Sequence, residues 1–359
     1  MIANTWLKCI VATVAALLLL ATGTGTALGA DARETLLRDL MTMNGKKNVE
    51  AELAYVRKAG ILDSVLQGEI DATAMARSFE PSKQAAAADT IRDSGVVMAN
   101  GEMAVTWFYE AVQKFIAEGQ LTLHLYETAA VNDAAPTSSR LLAMSVALTN
   151  MASASRVPLL VATDDDVLPP DPAALTKLRK DMEASRSALS REPYWYNLMA
   201  EIMIIQRANP ADVMAIVQEG LAAFPDNTRL VVLASNRFLP RWGGDAKRLA
   251  DYFDWVSTLP ALRNRPDMYA RIYWNALSLQ YKLTLFKVAE KDWTRMEPAL
   301  QKLVAAYPTT ENVNIAALMA CLGGDRAMTR TFLHHEKFNP YGQIWTDPDA
   351  LPLCWSWAG

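Results

Sequence analysis

Glu219-Gly-Leu-Ala-Ala-Phe224-Pro225-Asp-Asn-Thr228 and Lys302-Leu-Val-Ala-Ala-Tyr307-Pro308-Thr-Thr-Glu311 end two helical runs in the same way. Small residues let the next helix come close, an aromatic ring fills the groove, and proline stops one helix before another begins. The recurrence predicts successive helices stacked side by side. The two stops are 83 residues apart.

Outward from these stops the pattern stays helical. Val105, Phe108, Val112 and Phe115-Ile116 recur at helical spacing between Gly101 and Gly119, and Leu141-Leu142, Val146 and Leu148 continue the theme. Strict alternation is scarce, the best strand-like stretch being Val157 to Ala162. An all-α fold is therefore expected. Breaks fall at Asn44-Gly45, Gly60, Gly119-Gln120, Asp133 to Thr137 and most clearly Leu168-Pro169-Pro170-Asp171-Pro172. Composition shifts there, since 22 of the 30 aromatic residues lie after Pro193. The expected organisation is an N-terminal signal over 1–30, an Ala- and Met-rich helical region over 31–168 and an aromatic-rich helical domain over 171–359.

The 359 residues carry a formal charge of −4, with 51% hydrophobic and 21% charged residues. That balance excludes a disordered or multi-span membrane chain and argues against a nucleic-acid partner. With three His and three Cys, an all-cysteine zinc site is impossible, and no metal or cofactor is expected.

Met1 to Lys8 carries one positive charge, Cys9 to Ala21 is apolar, and Thr22 to Ala30 is rich in small residues. This is the three-part plan of a secretory signal, with a cut after Gly29 or Ala30 and a periplasmic or secreted destination. The apolar run is shorter than the ~20 residues of a membrane span, so membrane contact is expected only if the signal stays uncleaved as an anchor. Cys9 stands at the start of the apolar run and not at a cleavage site, which does not support a lipoprotein anchor. Losing Cys9 leaves Cys321 and Cys354, and an even pair in an oxidising compartment implies a disulfide. Closing residues 321 through 354 would contribute roughly 3.8 kcal/mol in the chain-entropy treatment. The tail lacks helical periodicity, and Trp345, Trp355 and Trp357 are expected to dock with it onto the helices Asn312 to Leu322 and Arg326 to His334.

Pro193-Tyr-Trp195-Tyr-Asn-Leu198, followed by the helix ending at Phe224-Pro225, resembles a degenerate tetratricopeptide unit, matching its Trp-x-x-Leu opening and its closing Pro. Met199 and Ile202 stand where that family has Gly and Tyr, and the 83-residue offset is no multiple of its 34-residue period. Three further stretches are similar to a bacterial family of unknown function on a tetratricopeptide-like scaffold. They are Phe238-Leu-Pro240-Arg241-Trp242-Gly243-Gly244-Asp245, Tyr269-Ala-Arg271-Ile-Tyr-Trp274 and Ala320-Cys321-Leu-Gly-Gly-Asp325-Arg326. The resemblance spans about 190 to 359. It implies an irregular α-solenoid of tetratricopeptide-like helical hairpins preceded by an N-terminal helical region, and it carries no activity.

Pro240 to Asp245 is the densest local signal. Pro240 would end a helix, the paired glycines would allow positive φ, Asp245 would cap the helix Ala246 to Thr258, and Trp242 would pack beneath. Arg241 would bond helix carbonyls or a carboxylate. The functional alternative has Arg241 and Trp242 presenting a cation and an aromatic face to a partner, with Asp245, Arg271 and Trp274 beside them. Asp164-Asp165-Asp166 resembles a glycosyltransferase metal cluster but lacks the surrounding α/β pattern, so it reads as a solvated turn. His334-His335-Glu336-Lys337-Phe338-Asn339 starts like a zinc-protease helix with Asn339 where the second His belongs, and His124 is isolated. Nucleophile elbows, phosphate loops, dinucleotide fingerprints and the lytic-transglycosylase glutamate motif are missing.

These readings point to an exported platform for a protein or peptide partner in the bacterial cell envelope, since stacked helices create extended binding surfaces. The alternative is a cell-envelope hydrolase or transferase with a site near Arg241 and Arg271. Three or more ionisable side chains converging on a deep pocket away from the Pro-Arg-Trp-Gly-Gly turn would favour that rival. Oligomeric state is left open.

Overall fold

The computed structural model describes residues 31–75, 81–117, 136–154, 171–288 and 292–359. The expected signal, His124, Val157 to Ala162 and Asp164 to Asp166 lie outside them. The N-terminal region supplies α1 (31–43), α2 (Val49–Ala59), α3 (Leu62–Met75), α4 (Pro81–Asp93), α5 (Ala104–Ala117) and α6 (Thr137–Ala154). Then follow α7 (Pro172–Ala184), α8 (Arg186–Leu189), α9 (Pro193–Ile205), α10 (Pro210–Ala223) and α11 (Thr228–Ala234). The last part holds α12 (Ala246–Thr258), α13 (Asp267–Ala276), α14 (Leu285–Val288), α15 (Trp293–Ala306), α16 (Thr310–Gly323), α17 (Arg326–Leu333) and α18 (Ala350–Ala358). The fold is all-α; one isolated bridge, Val97 to Met103, is the sole β pairing among the described residues. No described helix is long and apolar enough to cross a membrane.

The sequence punctuates these helices with caps. Side-chain oxygens of Asp171, Asn209, Asp245, Asp292, Thr309 and Asp325 each accept a first-turn backbone N–H, satisfying donors the helix leaves unpaired. Both aromatic-proline stops have one geometry. Phe224 sits at φ −135°, ψ 83° and Tyr307 at φ −138°, ψ 70°, and each donates its N–H four residues back, to Gly220 and Leu303. A cap for the next helix follows at once, from Asn227 or Thr309.

All 13 residues of α9 are buried, as expected of a helix apolar on every side. Helices α5, α6 and α7 pack on it from one direction, and α10 and α11 from another. Tyr109 of α5 stacks on Tyr194 of α9 at 4.4 Å. From α11 onward neighbours follow in succession, α11 on α13, α13 on α15, α15 on α16 and α16 on α17. One apolar core thus runs from Leu36 to Cys354, with helices on both sides of the Pro169-Pro170 run contributing.

The disulfide between Cys321 and Cys354 is present and ties α18 to α16. The tail differs from expectation in two ways. It contains a helix, α18, whose nine residues are too few to display a period and whose Pro352 falls in the first turn, where a missing N–H is tolerated. Of its tryptophans only Trp345 is buried, donating its indole N–H to Asn314 Oδ1 at 2.6 Å. Ala350, Cys354 and Ala358, at four-residue intervals, fill the buried face of α18, which turns Trp355 (44% exposed) and Trp357 (39%) outward.

In the Pro240 to Asp245 turn only Gly243 takes positive φ, at 83°. Gly244 serves a different need: a Cβ there would lie 2.0 Å from the Phe238 carbonyl oxygen, a backbone atom that cannot step aside. Gly244→Ala is therefore expected to destabilise the chain by more than about 2 kcal/mol. Gly68→Ala, inside α3 with open space around it, is expected to stabilise by about 0.5 to 1 kcal/mol. Urea denaturation of the two variants checks the contrast; equal and small effects would contradict it.

Candidate functional site

The turn flagged by the sequence is held together from within. Asp245 caps α12 through the Arg248 N–H at 2.8 Å, and Arg248 Nη1 donates to the Gly243 carbonyl at 2.7 Å. Arg237, which the sequence reading passed over, also binds carbonyls: its Nε donates to Ala208 O and its Nη1 to Trp242 O, both at 2.6 Å. Arg241 instead lays its guanidinium 5.5 Å from the centre of the half-buried Trp242 ring and gives its backbone N–H to Gln280 Oε1. Arg237 and Arg241 are four positions apart in similar company, and no pattern in the sequence separates their roles.

Arg271 belongs to a buried cluster on α13. Asp267, 1% exposed, accepts from Arg265 Nε and Nη2 and from Arg271 Nε, all at 2.9 Å. Burial disfavours the Asp267 charge, but the hydrogen bonds and charges of the two arginines outweigh it and hold the carboxyl below its ordinary range. Both guanidinia lie over the Tyr307 ring, at 5.4 and 5.0 Å. Arg271 also donates to the Asn100 carbonyl at 2.6 Å, reaching the loop before α5. Gly101 makes this approach possible, since a Cβ there would meet the Tyr307 ring at 2.7 Å. Trp274, further along α13, is half-buried against the core.

Beside this cluster a cleft of about 300 Å³ opens between α12, α13 and α15. Phe253, Val256, Leu262, Pro266, Met268 and Pro298 supply its apolar lining. Arg263, Arg265 and Arg295 stand around it, and no carboxylate among the described residues lines it. Arg295 is fixed by Asp254 at 2.6 Å and lies 4.4 Å over the Phe253 ring, while Arg265 is fixed by Asp267. Arg263 is exposed, and its guanidinium has no hydrogen-bond or ion-pair partner among the described residues. Pro298 lies inside α15, so the Thr294 carbonyl loses the donor that residue 298 would supply, where Thr294 and Pro298 both line the cleft.

Three ionisable side chains do converge on this cleft, the number set above for the enzyme reading, but all three are guanidinia, which do not exchange protons near neutrality. The two hydroxyls are already donating, Ser257 to Asp254 O at 2.7 Å and Thr294 to Asp292 Oδ1 at 2.5 Å. Among the described lining residues the chemistry is therefore that of cations and apolar surface, with no acid, base or activated nucleophile. The sequence hints at it only through Pro260-Ala-Leu-Arg263-Asn-Arg265-Pro266, two prolines bracketing two arginines, and Pro298 within a helical pattern. A larger groove of about 680 Å³ lies along α7 and the end of α9, but Glu183 lines it and pairs with its Arg179 at 2.9 Å.

His334 and His335 belong to no metal-ligand cluster among the described residues. Helix α17 ends at Leu333, leaving His334 against Trp355 at 5.5 Å and His335 accepting the Lys337 N–H through Nδ1. No group of three His, Cys, Asp or Glu side chains among the described residues is placed to hold a metal ion.

One buried carboxyl is tuned by the packing of the N-terminal region on α9. Burial, reinforced by the charge of Glu110, pushes Glu201 up to about 7. Glu110 itself pairs with Arg229 of α11 at 2.7 Å. A raised carboxyl pKa means that the native state binds more protons than the unfolded chain between about pH 4.5 and 7, so stability falls as pH rises through that window. Glu201→Gln is expected to match the parent at pH 5 and to exceed it at pH 8 by on the order of 3 kcal/mol, read by denaturant unfolding. Parallel pH profiles would contradict this assignment. No family model, curated protein or solved structure matches the chain, so its chemistry is read from these residues alone.

Proposed function

We propose that this chain is an exported, tetratricopeptide-like helical-repeat protein that serves as a protein or peptide interaction platform in the bacterial cell envelope. The cleft between α12, α13 and α15 is the seat of the partner. The observation that carries the reading is the cleft's make-up: an apolar lining, three arginines and, among the described residues, no group able to move a proton. The Cys321–Cys354 disulfide supports an oxidising destination. The matched geometry of the Phe224 and Tyr307 stops supports a repeat origin for the helical succession. The rival enzyme near Arg241 and Arg271 is disfavoured because Arg271 is committed to Asp267 and Asn100.

Site-specific photo-crosslinking tests the platform. A photoreactive side chain at Ser257, exposed beside the cleft, is expected to capture a defined peptide segment from envelope extract, while the same group at Lys177 on α7 captures none. Ser257→Trp, which fills the cleft from its solvent edge, should cut capture from a second crosslinker at Thr294 by about tenfold. Equal capture at positions 257 and 177, or none at either, would remove the platform reading.

A further inference from the structure

We infer that the cleft between α12, α13 and α15 recognises a carboxylate placed next to an apolar side chain, the apolar group entering between Phe253, Leu262, Met268 and Pro298 and the carboxylate meeting Arg263. The inference rests on the platform reading and names what the platform holds. A volume of about 300 Å³ is at the small end of ligand sites and suits one large side chain better than a folded surface. The charge balance selects the sign of the ligand. Around the cleft, Arg263, Arg265, Arg271 and Arg295 face the carboxylates of Asp254 and Asp267, with Asp226 acting on Arg265 at longer range. At least one positive charge is therefore left over, and Arg263 is the guanidinium without an anion.

The division of labour among the arginines fits recognition. Arg265 and Arg295 are held by ion pairs and by rings, so they form fixed walls, while Arg263 has its planar fork of donors available for two carboxylate oxygens. The Thr294 carbonyl, relieved of its helical donor by Pro298, adds an acceptor for a peptide N–H. Apolar side chain, carboxylate and N–H occur together in an apolar residue at a free chain end, and also where Asp or Glu precedes an apolar residue within a chain.

Fluorescence anisotropy with three labelled hexapeptides separates these sources. One ends Gly-Phe with a free carboxylate, one is the same peptide amidated, and one is amidated with Asp before the Phe. The full-length exported chain is titrated with each, at low salt and at 0.5 M salt. The expected result is that at least one carboxylate peptide binds about tenfold more tightly than the neutral amide. The preference should shrink at least about fivefold in Arg263→Gln and at high salt. A stronger free-acid peptide assigns a chain terminus, and a stronger Asp peptide an internal acidic site. Ser257→Trp should remove binding of all three. Equal binding of the amide, blocked by Ser257→Trp, would overturn the carboxylate inference while leaving a peptide platform in place. Absence of binding by every peptide would overturn the inference outright, and the crosslinking at Ser257 judges the platform separately. Binding indifferent to both Arg263→Gln and Ser257→Trp would also overturn it.

Discussion

The carboxylate of Asp267, buried under two arginines, is the contact that links three parts of the molecule: the turn before α13, the loop before α5 and the ring of Tyr307. It holds Arg265 in the wall of the cleft and Arg271 against the Asn100 carbonyl. Both guanidinia are thereby kept over the ring of Tyr307, the aromatic of the second aromatic-proline stop. Breaking such a pair from one side leaves buried positive charge unanswered and costs about 3 to 5 kcal/mol. Because arginine hydrogen bonds and charge hold the Asp267 carboxyl below its ordinary range, its contribution is present above the unfolded pKa and lost as pH falls through the lowered one.

The helical class and its punctuation were legible because they are local. Capping residues, first-turn prolines and the small-aromatic-proline stops act within a few positions of themselves, and the two stops have nearly the same backbone angles. The cysteine pair was expected from parity and an assumed export, and the bond is present between Cys321 and Cys354. The tail was misjudged where locality fails. Nine residues cannot display a hydrophobic period, and the small face Ala350, Cys354 and Ala358, which decides what is buried, looks unremarkable beside three tryptophans.

The cleft was not legible for the same reason. Its lining comes from α12, the turn before α13, and α15, which lie tens of residues apart, and its charge depends on which arginine finds which aspartate. The Pro240 to Asp245 turn drew notice because glycine and tryptophan stand out in a sequence. Its residues mostly satisfy one another, and Arg237, which nothing in the sequence singles out, binds the carbonyls of Ala208 and Trp242. The pairs Arg265–Asp267 and Arg295–Asp254 fix two of the cleft's three arginines in place.

The most direct test of this account is native-state hydrogen exchange of Asp267→Asn beside the parent chain. If the Asp267 carboxylate couples the three parts, exchange should quicken together in the loop 97–103, in the turn 260–266 and around Tyr307, with the interior of α9 still protected. Faster exchange confined to the first turn of α13 would show that the contacts of Arg271 and Arg265 stand without it, and would contradict the account.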